Sequence, residues 1–420
     1  MTSLFSDPVH GFISVPKDLI LDLVQTPVVQ RLRRVRQLGV GYLVFPGAEH
    51  SRFGHALGAM ALMQDALQVL AEKGTPISHE ERLAALAGAL LHDVGHAPFS
   101  HTLETTLIRG FHHELMSRAL IVDLDNDFDG RLGLTLEMFD GTYLRPFFHE
   151  LIASQLDMDR LDYLRRDTFY TGVAEGVVGV DRLIKTLQVI PEAGGPESRL
   201  VVEAKGTYAA ENYILARRLM YWQVYLHKTV LAGDHLLRAA FRRIRRRPPP
   251  FPPVEGSPAL MFFLSRIVEA TEIDDPVVRA RYLALDDTDV LYSLKRWQHD
   301  PDPVLADLSR RFINRDFFRV TFLDEPPGPQ RRAGWKASVV DWLLAKGLAT
   351  PTDVEEVALY YLTFDDSRHR AYSTGSRSIC ILERDGSLRE LSESGDTTAI
   401  SAVATAVVKP YVCAPKEVGV

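Results

Sequence analysis

The chain has 420 residues, of which 46% are hydrophobic and 25% charged, with a formal net charge of −7. This is an ordinary globular composition, long enough for one large core with an appended lobe or for several small domains. The acidic balance argues against a general nucleic-acid coat, no apolar run is long enough to cross a bilayer, and MTSLFSDPVHG lacks the charged and apolar regions of a signal peptide. A cytoplasmic protein with no membrane partner is expected. Cys380 and Cys413 are the two cysteines, too few for a disulfide framework or a thiolate metal site.

Asp7 to Pro16 reads as a short strand or hairpin. Thr26 and Pro27 pair an N-cap with proline at the first helical position, and Gly39 ends the helix they open. Arg31, Arg33, Arg34 and Arg36 lie on it, as a solvated basic face or an anion site. A glycine-punctuated loop then leads into a helix that stops at Lys73–Gly74. Ser78 and Glu81 form a capping box for ERLAALAGALLHD, whose alanines and leucines predict burial on most sides. FHHELMSRAL opens another helix with His112 and His113 at its start.

In Asp157 to Asp167 the residues Asp159, Arg160, Tyr163 and Asp167 share one helical face. QVIP with RLVVEA reads as a small hairpin. One long helix is expected from Tyr208 to Arg246, with Arg217, Tyr221 and Tyr225 one turn apart along it. RRIRRRPPPFPP ends it as a loop or semi-rigid spacer. Further helices precede the strand DFFRVTFL, and a small α+β lobe, including a Thr397–Val408 helix, closes the chain. The expected division is 1–325 and 326–420.

Eight of the fourteen histidines fall between His50 and His113. Within LLHDVGHAPFSHTLE, His92 and Asp93 stand at the end of an apolar helix, His96 follows one turn later, and His101 lies beyond Pro98. Imidazoles and carboxylates hold divalent metals and move protons near neutral pH. If His55, His92, Asp93 and Asp159 converge, two nitrogens and two oxygens would hold one ion and leave positions open. Such donors suit Mn, Fe, Co, Ni or Zn, and Mg less well. The absence of HExxH and of GxxxxGK[ST] excludes a zincin and a phosphate-cradling loop. An ion ringed by histidines and arginines fits phosphoester hydrolysis.

His55, His92–Asp93 and Asp159 resemble the H…HD…D signature of the HD-domain phosphohydrolases. DPVHG, TPVVQRLRRVRQLG, VFPGAEHSRFGH, LLHDVGHAPFSH, HHE and QLDMDRLDYLRRD narrow the likeness to deoxynucleoside triphosphate triphosphohydrolases, a group with bacterial and animal members. The resemblance covers about Asp7 to Val320, and the last lobe is similar to the family's C-terminal region. It implies a mainly α fold, an HD-domain helical core with the small α+β lobe. It also implies cleavage of dNTPs into deoxynucleoside and triphosphate, by attack at the α-phosphorus.

By the same resemblance His55, His92, Asp93 and Asp159 bind the metal, with Mn or Fe favoured. His101, backed by Glu104, donates the proton, and His96 and His113 line the phosphates, with a second Mg as an option. Arg52, Arg160 and Arg217 bind the triphosphate with Tyr163, Gln37, Leu38, Asp167 and Tyr225 hold and gate the sugar, and Tyr221 is a further substrate-binding residue. A homo-oligomer, dimer or tetramer, and a dNTP or GTP activator at Gln30 and Arg33 are expected. The chain departs from the family at several of these positions. Arg160 replaces lysine, Glu104 replaces aspartate, and Tyr221 replaces histidine. Gln25 stands where the animal enzyme reads guanine with aspartate, which counts against GTP. Two alternatives stay open: hydrolysis of another nucleotide phosphoester, and a nucleotide-sensing or nucleic-acid-binding regulator with a vestigial site.

Overall fold

The N-terminal hairpin expected from Asp7–Pro16 starts earlier than that motif. In the computed structural model β1 (Thr2–Asp7) pairs antiparallel with β2 (Gly11–Pro16), Thr2 opposite Pro16. The structure describes residues 2–191, 198–247, 249–375, 378–394 and 399–419. Twenty α-helices and a few small sheets make these residues mainly α.

Thr26 caps α1 (Pro27–Arg31), its Oγ1 accepting from Val29 N at 3.4 Å. The helix does not run to Gly39. After one 3-10 turn Val35 is extended and Arg36 bridges Ser51. The arginines explain the break, because each is drawn to a different partner. Arg31 is fully buried and donates to Leu285 O at 2.7 Å, Arg34 to Asp286 at 2.5 Å, and Arg36 to Glu49 at 2.6 Å. The Arg36 backbone N–H also donates to Asp287 at 3.0 Å. Arg33 and Arg34 stay exposed, so a solvated face describes only part of this segment, and Arg31 is buried away from it.

α2 (Arg52–Glu72) and α3 (His79–Leu91) carry the expected caps. Ser78 Oγ accepts from Glu81 N at 3.1 Å, and Glu81 returns the bond to Ser78 N at 2.8 Å. Every residue from Ala84 to Leu91 is buried. Each of the three leucines there contributes about 1.5–3 kcal/mol, which holds the end of α3 in place. α4 (His113–Asp127) follows, and α5 (Met158–Thr171) packs on α2. That contact is close at Gly58, where an added Cβ would lie 1.9 Å from Asp162 Oδ1.

The long helix expected from Tyr208 is two helices. α6 (Thr207–Met220) ends in a π turn over Tyr221–Tyr225, and α7 (Lys228–Arg245) starts afresh, with the His227 ring capping Thr229 N. The extra residue of the turn re-aims two side chains. Tyr221 stacks on His369 at 3.7 Å between ring centroids, and Tyr225 Oη donates to Asp167 at 2.7 Å.

QVIP and RLVVEA form β3 (Leu187–Pro191) and β4 (Ser198–Glu203) as expected. Besides a two-residue parallel pair, Ile108–Arg109 with Val268–Glu269, the other strands are β5 (Arg319–Phe322), β6 (Thr363–His369), β7 (Cys380–Leu382), β8 (Leu388–Glu390) and β9 (Val407–Ala414). One sheet has the order β8-β7-β4-β3, and another β5-β9-β6. Both sheets join strands from either side of residue 325, and one buried hydrophobic cluster extends from Ile13 to Ala414. The expected Thr397–Val408 helix is confined to Ala399–Val403 among the described residues, and Thr397 and Thr398 lie outside them. Val407 and Val408 instead begin β9, as β-branched residues favour.

Candidate active site

His92 is the C-cap of the buried helix α3, so packing fixes its backbone. Its Nδ1 lies 2.8 Å from Ala89 O, a group that only accepts, so Nδ1 carries the proton and Nε2 is left as a ligand. His55, on the first turn of α2, is set the same way by Asp162, whose Oδ2 is 2.7 Å from its Nδ1. The free His55 Nε2 is 3.2 Å from His92 Nε2, 3.1 Å from Asp159 Oδ1 and 3.5 Å from Asp93 Oδ2. His92 Nε2 is 3.4 Å from Asp93 Oδ1 and 3.5 Å from Asp159 Oδ1. The four residues singled out in the sequence therefore converge. His55, His92 and Asp159 each offer one donor atom within 4.8 Å of the others, a set that fits a divalent ion.

A second layer, which the sequence reading missed, supports the first. Asp162 is fully buried and also meets His10 Nε2 at 2.6 Å and Arg166 Nε at 2.9 Å. Arg166 reaches on to Asp7 at 2.8 Å. Burial disfavours the Asp162 charge, yet Arg166, His10 and His55 hold its carboxyl well below the usual range. Burial likewise works against Asp159, but in the absence of an ion hydrogen bonds from the protonated His55 and His92 rings lower it. His55 is raised to about 10 because those to Asp159 and Asp162 outweigh its burial. The spacing of Asp162 and Arg166, one helical turn apart within RLDYLRR, was the available signal.

Beyond α3 the chain makes a strained loop. Phe99 and Ser100 have φ of +55° and +51°, conformations costing roughly 1–3 kcal/mol each. Asp287 Oδ1 accepts from Phe99 N at 2.8 Å, and Ser100 Oγ accepts from Arg52 Nη2 at 2.8 Å. Gly39, at φ +51°, fits beneath, since a Cβ there would stand 2.9 Å from Phe99 O. The loop presents His101, whose side chain is exposed and whose Nδ1 meets Glu104 Oε2 at 2.9 Å. Glu104 Oε1 meets His113 Nδ1 at 2.9 Å, and His113 stacks on His96 at 3.8 Å. Against its burial, Glu104 is held below the usual carboxylate range by His101 and His113. His96 is pushed well below 6.5 by burial and then by Arg52. His96, His101 and His113 form a second group with donor atoms within 4.8 Å.

Arg52 ion-pairs with Asp93. Arg160 pairs with Asp157, and Arg217 donates to Ala371 O at 3.2 Å. A cavity of about 620 Å³ is lined by His92, Asp93, Asp159, Arg160 and Arg217. The expected sugar residues do not line it. Asp167 accepts from Tyr225 Oη at 2.7 Å and meets His50 Nε2 at 2.8 Å, and Tyr163 lies edge-on to Tyr225. Leu38 packs partly buried against the core, and Gln37 Oε1 is buried without a partner. Gln30 and Arg33 form one exposed pair, Arg33 Nε donating to Gln30 Oε1 at 2.8 Å.

Comparison with known proteins agrees with this geometry. The HD domain model matches residues 52–163, which span all four converging residues, and the HD associated region model matches 178–248. The Bacillus subtilis (strain 168) protein YwfO is 33% identical over 93% of this chain and 87% of its own length. A crystal structure of a phosphohydrolase from Bacteroides thetaiotaomicron is 40% identical with a TM-score of 0.90, covering 99% of this chain and 100% of that one. The Dictyostelium discoideum SAMHD1 homolog, a deoxynucleoside triphosphate triphosphohydrolase, is 30% identical over 57% of this chain, which spans only 49% of that relative. The converging histidines and aspartates, the helical fold and the likeness over nearly the whole chain place it in the HD-domain phosphohydrolase family.

Proposed function

We propose that this protein hydrolyses dNTPs to deoxynucleoside and inorganic triphosphate. The observation that carries the reading is the convergence of His55, His92, Asp93 and Asp159, the last three of which line a cavity together with Arg160 and Arg217. The likeness to a dNTP triphosphohydrolase supports the choice of substrate. A divalent ion held by the four residues, Mn or Fe favoured, would supply Lewis acidity toward water and phosphate. The three-histidine group offers a second Mg only imidazole nitrogen and the Glu104 carboxylate, a poor match, so no step is assigned to it.

The remaining work falls to side chains. Arg160 and Arg217 hold the phosphate tail, with guanidinium forks suited to phosphate oxygens. Water oxygen adds to the α-phosphorus and loses a proton to solvent, the bond to O5′ breaks, and that oxygen leaves with its electron pair. His101 delivers the proton from Nε2, because Nδ1 is engaged by Glu104. Glu104 stabilises the charged imidazole before transfer. A homo-oligomer, dimer or tetramer, and a dNTP or GTP activator at Gln30 and Arg33 belong to the same reading.

The test is incubation with each of the four dNTPs and with their mixture, plus Mn²⁺, and separation of products by anion exchange. Deoxynucleoside with triphosphate supports the proposal, and activation only in mixtures supports a regulatory nucleotide. A second reading, hydrolysis of another nucleotide phosphoester, is favoured by one observation: Asp167 spends both oxygens on His50 and Tyr225 instead of on the cavity. Orthophosphate or pyrophosphate among the products supports that reading.

A further inference from the structure

The cavity beside the metal ligands has a wall that the assignments above leave unused: the segment that follows β6. Strand pairing fixes its start, with His369 opposite Val407 and the His369 ring stacked on Tyr221. Hydrogen bonds fix what comes next. Ala371 O accepts from Arg217 Nη1 at 3.2 Å, and Ser373 exchanges two bonds of 2.7 Å with the Gln155 side chain, through its N and its O. Arg370 sits between these anchors. Its side chain is exposed and borders the same cavity as His92, Asp93 and Asp159.

Three arginines from three separate elements therefore line one space, and their charges are not equally available. Arg160 is already compensated by Asp157. Among the described residues neither Arg217 nor Arg370 has a carboxylate partner, and Arg217 Nε is buried with no hydrogen bond at all. An uncompensated, buried guanidinium beside a metal group needs an anion. Arg217 is buried, Arg370 is exposed, and both line the cavity, so they offer cations at two separate places in it, more than a single phosphate needs.

We propose that Arg370 is a specificity residue for polyphosphate: it binds the phosphates farthest from the scissile bond, beyond those held by Arg160 and Arg217. This rests on the triphosphate reading of the site. It makes the C-terminal segment part of the substrate pocket, positioned by Gln155 and by the Ala371 contact with Arg217. Orthophosphate, bound at the metal group alone, does not reach Arg370.

Calorimetric titration of the Mn-loaded full chain with inorganic triphosphate and with orthophosphate tests this without requiring turnover. In R370Q the affinity for triphosphate falls about tenfold, the lower end for a lost hydrogen bond between charged groups. R370K recovers part of it, since charge is kept and the fork is lost. R368Q, on the exposed neighbour outside the cavity lining, binds triphosphate like wild type. Equal triphosphate affinity in R370Q and wild type overturns the assignment of Arg370. A wild-type protein that holds Mn but binds triphosphate no tighter than orthophosphate overturns the triphosphate reading itself, and Arg370's role with it.

Discussion

Asp162 Oδ2 stands 2.7 Å from His55 Nδ1, so a fully buried carboxylate decides which nitrogen of His55 faces His92, Asp93 and Asp159. Outer partners of this kind raise ligand basicity and fix the ring. Asp162→Asn is expected to lower metal affinity about 10–100-fold while all four ligands stay in place. Competition with a chelator of known strength measures it, and unchanged affinity would contradict the role.

Gly58 lets that contact form. A methyl at this position would overlap Asp162 Oδ1, so Gly58→Ala must push α5 from α2 or swing Asp162 off His55. Overpacking of this sort costs about 1–3 kcal/mol. The expected result is a lower Tm together with weaker metal binding. A variant that melts and binds metal like wild type would show that the helices part without disturbing His55.

His101 is exposed, oriented by Glu104 and not among the four ligands, which suits a proton donor. His101→Gln should keep stoichiometric metal while kcat falls about 10²–10⁴-fold, the usual worth of a general acid. Single-turnover kinetics with metal analysis separates the roles. If substrate affinity collapses while turnover of the bound complex holds, His101 is a phosphate ligand instead.

Stability should depend on pH through His235, on α7, whose Nε2 meets Tyr411 Oη of β9 at 2.7 Å. Burial, then Arg238, lowers its pKa to about 4 from 6.5, with Arg242 adding to and Asp365 opposing the shift. The unfolded chain therefore binds more protons between those values. His235's contribution is complete above about 6.5 and is lost as pH falls toward 4, reaching about 3 kcal/mol at full extent. Urea unfolding across this window should show a steeper acid loss for wild type than for His235→Gln. Parallel curves would contradict the assignment.

The convergence of His55, His92, Asp93 and Asp159 was legible because these residue types suit metal chemistry, and two of the four are adjacent at the end of an unmistakably buried helix. Asp162 was not, because DMDRLDYLRRD mixes buried and solvated charges on one helix. What sorts them is the close approach of α2 at Gly58, far away in sequence. The break at Tyr221–Tyr225 was illegible for a similar reason. Nothing local forbids a continuous helix there, and the partners that reward the π turn, Asp167 and His369, come from distant elements. The burial of Arg31 and the pairing of Arg34 and Arg36 were illegible because their partners at Leu285 to Asp287 lie some 250 residues on.

The most direct test of the central claim is hydrolysis of a dNTP by the Mn-loaded protein in ¹⁸O-labelled water, with mass analysis of the products. Attack at the α-phosphorus predicts label in inorganic triphosphate and an unlabelled deoxynucleoside, with both lost in Asp93→Ala. Release of orthophosphate or pyrophosphate, or full turnover in Asp93→Ala, would contradict the account.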